Sequence, residues 1–160
     1  MDTKTKTAII TGGASGLGFA IAKKFVENNI KTIIIGRNEN SLAKTCKSLG
    51  ELCSYKVFDL SNLKGIPRLL SDLNNEFGPV DILVNNAGIN QKKAFTGVTD
   101  EEFQQVILTN LTSVFVLSRE VAAKILIGHL DNNNDLQQTH SLILRSELII
   151  RDSSLKKAKK

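Results

Sequence analysis

The chain is poor in the residues that most often carry chemistry. Its 160 residues include one tyrosine, two histidines, two cysteines and no tryptophan. Cys46 and Cys53 lie seven positions apart and match neither a metal nor a redox spacing, so both read as ordinary free thiols of a reducing compartment. His129 and His140, eleven positions apart, have no ligand pattern around them, and no metal site is expected. Long hydrophobic runs are missing as well. The most apolar stretch, VILTNLTSVFVL at 106–117, is interrupted by Thr, Asn and Ser and reads as too short to span a bilayer. The opening MDTKTKTAII runs straight into a strand without a secretory signal. A soluble cytoplasmic protein without membrane contact is the expectation.

Charge of one sign is scarce outside the C-terminal end. The last ten residues, RDSSLKKAKK, hold five positive charges and one negative, which leaves the rest of the chain close to neutral against a total of +5. Such a tail reads as a solvated end. A nucleic-acid partner is not expected, because its footprint needs basic residues spread over a folded face. Hydrophobic residues at 41% and charged residues at 23% are ordinary for a globular protein, and the length fits one domain.

What the chain does have is a regular alternation of short apolar runs and longer helical stretches. TAIIT at 7–11 is β-branched and ends at a glycine cluster, as a buried strand does. From about Gly16 to Asn28, Leu17, Ile21 and Phe25 share a helical face. KTIII at 31–35 is a second strand stopped by Gly36, and Asn38 to Leu49 a helix ended by Gly50, a residue suited to a left-handed cap. Cys53 to Phe58 is a third strand. The helix from about Lys64 to Phe77 begins late, with Pro67 in its first turn. DILV at 81–84 is a fourth strand. Thr99-Asp100-Glu101-Glu102 spells a capping box, opening a long helix through Asn110 towards Gly128 with a break near Thr109. Four strand–helix alternations with short connections predict an α/β fold, a doubly wound parallel sheet covered by helices on both faces. After Gly128 the character changes. DNNNDLQQTH is polar and low in complexity, SLILRSELII could be a fifth strand or a short amphipathic segment, and the basic tail follows.

TGGASGLG at 11–18 sits between the first strand and the first helix. Glycines at 12, 16 and 18 permit a tight turn and let a diphosphate approach backbone amides at a helix N-terminus. The spacing is G-x-x-x-G-x-G rather than the commoner G-x-G-x-x-G. A P-loop is disfavoured, because Phe19-Ala20 stand where Lys and Ser/Thr would follow the last glycine.

Taken together, TGGASGLG, Asp59-Leu60 after the third strand, NNAG at 85–88 and Asn110 in the following helix resemble the short-chain dehydrogenase/reductase family. The resemblance covers about four-fifths of the chain, in order and at matching spacing, and implies an incomplete Rossmann-like fold of four to five strands. Residues 1–128 would form the NAD(P)-binding domain and 129–160 a divergent remainder. The wording NNAGINQKKAFTGVTDEEFQ is similar to gluconate 5-dehydrogenase-like members, which act on sugar acids and polyols. By this resemblance Gly12, Ser15, Gly16, Leu17 and Gly18 would line the diphosphate. Asp59 and Leu60 would flank the adenine, and Asn86, Ala87 and Gly88 would pass beside its ribose. NNAG also reads as a strand-end turn holding the sheet together, and the two roles do not compete.

Cofactor choice turns on the end of the second strand, where NAD selection calls for a carboxylate. Gly36 stands there, followed by Arg37 and Asn38, and a guanidinium can pair with a 2′-phosphate through two hydrogen bonds. NADP is therefore expected over NAD. Glu39 close by and the absence of a basic residue at Ala14-Ser15 weigh the other way, and Arg37 also reads as a solvated residue near a helix start.

The family's chemistry is hydride transfer, with a tyrosine giving or taking the proton and a lysine four residues later lowering that tyrosine's pKa. A serine binds the substrate oxygen, and an asparagine, matched by Asn110, holds a water. Tyr55 is the one tyrosine here, about a hundred residues too early and without a lysine at 59. No Tyr-x-x-x-Lys follows Asn110, and Ser141 and Ser146 lack the family's surrounding pattern. General acid–base catalysis contributes roughly 10²–10⁴-fold, so the chain is expected to be near-inactive. The change after Gly128 suggests a frameshift, an alternative transcript or a faulty gene model. A non-catalytic dinucleotide-binding or interaction module is the other reading. Residues 102–128 are expected to offer an apolar helix face to a second copy or another partner.

Overall fold

The computed structural model describes residues 5–131, and side chains within it to residue 125. Four parallel strands, β1 (Thr7–Thr11), β2 (Lys31–Gly36), β3 (Cys53–Val57) and β4 (Ile82–Val84), lie in the order β3-β2-β1-β4. Between them run α1 (Gly16–Glu27), α2 (Glu39–Leu49) and α3 (Ile66–Phe77). After β4 come α4 (Asp100–Ile107), a wide π-turn at Leu108–Thr112 and α5 (Ser113–Asp131). This is the Rossmann-like, doubly wound architecture, with four strands among the described residues. SLILRSELII, the candidate fifth strand, lies outside the described residues, as do Ser141 and Ser146.

The period-two pattern of the strands sorts the core into two halves. Ile9, Ile33 and Ile35 point to one face and meet Leu60, Ile66, Leu69, Leu70, Leu73, Leu117 and Val121, which come from the β3–α3 connection, α3 and α5. Ile10 and Ile34 point to the other and meet Ala22, Leu42 and Cys53, with Ile21, Phe25 and Tyr55 packed alongside. A central parallel strand is covered twice, which is why TAIIT is buried throughout.

Several local signals act as their chemistry dictates. The Thr99 hydroxyl accepts the Glu102 amide at 3.3 Å and the Glu102 carboxylate accepts the Thr99 amide at 3.1 Å, completing the capping box. Pro67 lies in the first turn of α3, after a short 3₁₀ turn at Leu63–Gly65. Asn38 is the N-cap of α2 rather than part of it, its side chain accepting from the Ser41 amide at 2.9 Å. Gly50 ends α2 at φ +87°, ψ −166°, so its positive φ is needed but the turn is extended rather than left-handed helical.

One expectation needs correction. The helix does not break near Thr109; it widens. The Ser113 amide reaches back five residues to the Leu108 carbonyl, and the buried Ser113 hydroxyl donates to the Thr109 carbonyl at 2.6 Å, supplying the partner that the shifted ladder removes. Because the polar residues are absorbed in this way, Asp100–Ile125 is one continuous helix, long and apolar enough by length and composition to cross a membrane. Here Leu117 and Val121 on one side of it are sunk in the core. Cys46 and Cys53 are free thiols, and their Sγ atoms lie 3.2 Å apart.

Leu117 is fully buried and anchors α5 to α3 and the sheet. Leu117→Ala is expected to lower unfolding stability by about 2–5 kcal/mol, measured by urea denaturation.

Candidate functional site

The site grows out of the C-terminal ends of β1 and β4, where two strand-to-loop transitions must be held side by side. Thr11, the last residue of β1, does this with one hydroxyl. It accepts the backbone amides of Asn86 and Ala87, both at 3.0 Å, and donates to the Val84 carbonyl at 3.4 Å. The Asn86 side chain returns the contact, its amide nitrogen donating to the carbonyls of Thr11 (3.1 Å) and Gly12 (3.2 Å). The glycine turn and the NNAG turn are thus a single hydrogen-bonded unit.

The glycines of the first turn serve different ends. A Cβ on Gly18 would lie 2.4 Å from the Gly12 carbonyl oxygen and 2.5 Å from the Asn86 side-chain nitrogen, so this glycine lets α1 pass close beneath the turn. Gly16 differs: at φ +55° a Cβ would meet nothing within 4 Å, leaving open space at the start of α1. Ser15 is the N-cap of that helix, yet its side chain makes no capping bond. The start of α1 thus carries no side-chain cap, and Ser15 itself lines the neighbouring cleft, an arrangement that suits a phosphate oxygen.

A cleft of about 310 Å³ opens beside this unit. It is lined by Gly12, Ser15, Arg37, Asp59, Leu60, Asn86, Ala87 and Gly88 among the residues singled out from sequence, and by Ile35, Gly36, Phe58, Ile89 and Thr109 besides. Gly16, Leu17, Gly18, Asn38 and Asn110 lie outside that lining. Gly18 is packed under the turn, Leu17 is 71% exposed, and Asn38 is occupied at the start of α2. Phe58, Ile35 and Ile89 sit next to polar motif residues but carry no pattern of their own, so nothing in the chain's spacing separates them from core.

One rim of the cleft carries the charges. The Asp59 carboxylate accepts the Ser61 amide at 2.9 Å. That bond, and to a lesser degree the nearby Arg37 guanidinium, hold its carboxyl below the usual carboxylate range against the opposing effect of burial. Arg37 follows Gly36 directly, and the end of β2 bears no carboxylate in the cleft; Glu39 lies in the first turn of α2.

Asn110 lies in the π-turn, beside the lining residue Thr109. Its oxygen accepts the Ile89 amide at 2.9 Å and its nitrogen donates to the Ile89 carbonyl at 2.8 Å, clasping the loop after NNAG to the helix. Gly88 passes so near that a Cβ there would lie 3.4 Å from the Asn110 oxygen. Tyr55 is elsewhere, in β3 and packed against the α1–α2 side of the sheet.

A parallel sheet with a glycine-rich turn, an uncapped helix N-terminus and a cleft at the strand ends is the arrangement of the dinucleotide-binding α/β folds. Residues 6–132 match the family model for short chain dehydrogenases, and the chain belongs to the short-chain dehydrogenase/reductase family of oxidoreductases. It is 40% identical over 131 residues to a 3alpha-hydroxysteroid dehydrogenase of Mediterraneibacter gnavus, covering 79% of this chain and 52% of that protein. Over 118 residues it is 40% identical to an NADP-dependent (R)-specific alcohol dehydrogenase of Lentilactobacillus kefiri, covering 72% and 47%. Among solved structures, an actinorhodin polyketide ketoreductase with NADPH superposes with a TM-score of 0.72 at 31% identity, covering 80% of this chain and 49% of that one. The chain spans about half the length of these curated relatives.

Thr11→Val keeps the shape of the residue while removing the acceptor for two amides. A loss of about 1–3 kcal/mol in stability is expected, with the thermal midpoint falling accordingly.

Proposed function

We propose that this chain binds a nicotinamide dinucleotide through its adenine half, preferring NADP to NAD, on the frame of a carbonyl–alcohol oxidoreductase, and that it performs no turnover by itself. The single observation that carries the reading is the cleft at the strand ends, joined to an uncapped helix start and bordered by Arg37. Uncapped amides of α1 and the Ser15 hydroxyl suit the diphosphate, and the open space at Gly16 lets it come close.

Preference for a 2′-phosphate rests on Arg37, whose planar guanidinium can make a two-point contact where a carboxylate would repel. The NADP-dependent alcohol dehydrogenase and the ketoreductase with NADPH among the similar proteins support it. When bound, the dinucleotide supplies the hydride. Absence of turnover follows from the residues present. Tyr55, the only phenol, is committed to the α1–α2 side of the sheet, and position 59 is Asp rather than Lys. Asn110 remains as a positioning group for the Ile89 loop. The narrower substrate class, sugar acids or polyols, is supported by the wording of residues 85–104 alone, whereas the similar proteins above are named for a hydroxysteroid, an alcohol and a polyketide.

Thermal unfolding in the presence of NADPH or NADH tests both parts. A hundredfold excess over Kd should stabilise the fold by about 2.7 kcal/mol. Arg37→Ala should weaken NADPH at least about tenfold while leaving NADH nearly unchanged, through loss of one charge-assisted contact. Equal shifts with both dinucleotides would overturn the preference, and no shift with either would overturn binding. Carbonyl reduction by the purified chain well above background would overturn the lack of turnover.

A second copy of the chain is the partner we propose for the α4–α5 rod. Phe103, Leu111 and Phe115 are each more than half exposed along it, an apolar surface that carries the Arg119 guanidinium over the Phe115 ring at 5.6 Å. Light scattering is expected to give a mass above that of the monomer, and Phe115→Glu to reduce it; a clean monomer at micromolar concentration would count against the pairing.

A further inference from the structure

Cys46 and Cys53 take no part in the dinucleotide cleft, and their setting is unusual for two free thiols. Cys46 lies in the last turn of α2 and is half-buried; Cys53 begins β3 and is 7% exposed. Backbone bonds tie the connection down at both ends, the Gly50 amide donating to the Cys46 carbonyl and the Cys53 amide to the Gly50 carbonyl, each at 3.0 Å. The two sulfurs face one another at 3.2 Å and share one hydrogen bond. A disulfide needs about 2.05 Å, so the approach still required is small and can be supplied by side-chain rotation.

We propose that Cys46 and Cys53 form a reversible redox site, closing to an intrachain disulfide by exchange with a low-molecular-weight disulfide such as oxidised glutathione. Cys46 is the accessible member and reacts first. Its thiolate attacks the small disulfide, whose sulfur–sulfur bond breaks and releases one thiolate. Cys53 then gives its proton to water and attacks the Cys46 sulfur, breaking the mixed disulfide and releasing the second thiolate. Two cysteine thiols are thereby oxidised by two electrons, and one small disulfide is reduced to two thiols, which take up the two protons.

Burial pushes both thiols up from their ordinary pKa, Cys46 against a lowering from its bond to Cys53. The exchange is consequently slow at neutral pH and accelerates as pH rises, so the pair answers a sustained oxidising poise rather than a brief one. The bond would close a short loop across the end of α2 and the start of β3. Among the described residues β3 is an edge strand, paired with β2 on one side only, and its far end leads into Phe58 and Asp59 of the cleft. Tying its start to α2 removes freedom that the unfolded or frayed chain would otherwise have.

The test equilibrates the folded full-length chain in buffers of reduced and oxidised glutathione. The expected product has lost two hydrogens by intact mass and two titratable thiols under denaturing conditions, and dithiothreitol reverses both changes. The oxidised chain should melt about 5 °C or more above the reduced one. Cys46→Ser and Cys53→Ala should show neither the mass loss nor the stabilisation. Retention of both thiols in strongly oxidising buffer, a glutathione adduct as the only product, or disulfide-linked dimers would each overturn the proposal. Because the wild-type mass and thiol count suffice, it remains testable even if the Cys53 variant fails to fold.

Discussion

Everything at the cleft depends on the hydroxyl of Thr11. A strand end is where a sheet runs out of ladder partners, and two neighbouring strand ends must be held together by something other than the ladder. The Thr11 hydroxyl accepts two amides of the NNAG turn and donates to the end of β4. Asn86 then uses its side chain to satisfy the two carbonyls at the start of the glycine turn. Buried backbone groups are costly when unpaired, and here five of them are paired by two side chains. The cleft is therefore a consequence of sheet closure rather than an addition to it.

Distance and charge are handled by separate residues. Glycine at 18 sets how near α1 comes to the turn, while glycine at 16 leaves the space above it empty. Arg37 and Asp59 place opposite charges on the rim, with the aspartate held ionised mainly by a backbone amide and so dependent only in part on the arginine. The rim of the cleft thus carries one guanidinium and one carboxylate, with Ser15 in the same lining.

Much of this fold is legible in the chain because its local signals agree with its global demands. TAIIT, KTIII and DILV can be read as strands since each is short, β-branched and followed by glycine or asparagine, and Thr99 with Glu102 names a helix start by side-chain chemistry alone. The polar motif residues of the cleft can be found because glycine and asparagine at fixed offsets have few other uses. What stays hidden is whatever arises from approach in space. Phe58, Ile35 and Ile89 line the cleft yet look like core, since an apolar residue at a strand end has no pattern of its own. Gly13 presses on Ile34, leaving only 2.5 Å for a side chain, a contact with no trace in the glycine spacing. The apposition of Cys46 and Cys53 depends on the short turn at Gly50 folding β3 back along α2. Polar residues within VILTNLTSVFVL suggest a break, but tertiary packing uses them to stitch a wide turn.

That wide turn also sets an angle. Each residue of an α-helix advances about 100° around the axis, and a turn closed five residues back accommodates one residue more than the helix would. The faces before and after Leu108–Thr112 are offset by about that angle, so Asn110 can grip Ile89 while Leu117 and Val121 still meet the sheet. One rod thus serves two surfaces that a uniform helix would bring out of phase. Deleting one residue within this turn would let it close to the ordinary four-residue ladder with α4 and α5 still in phase, whereas a deletion elsewhere in the rod would rotate one face against the other by about 100°.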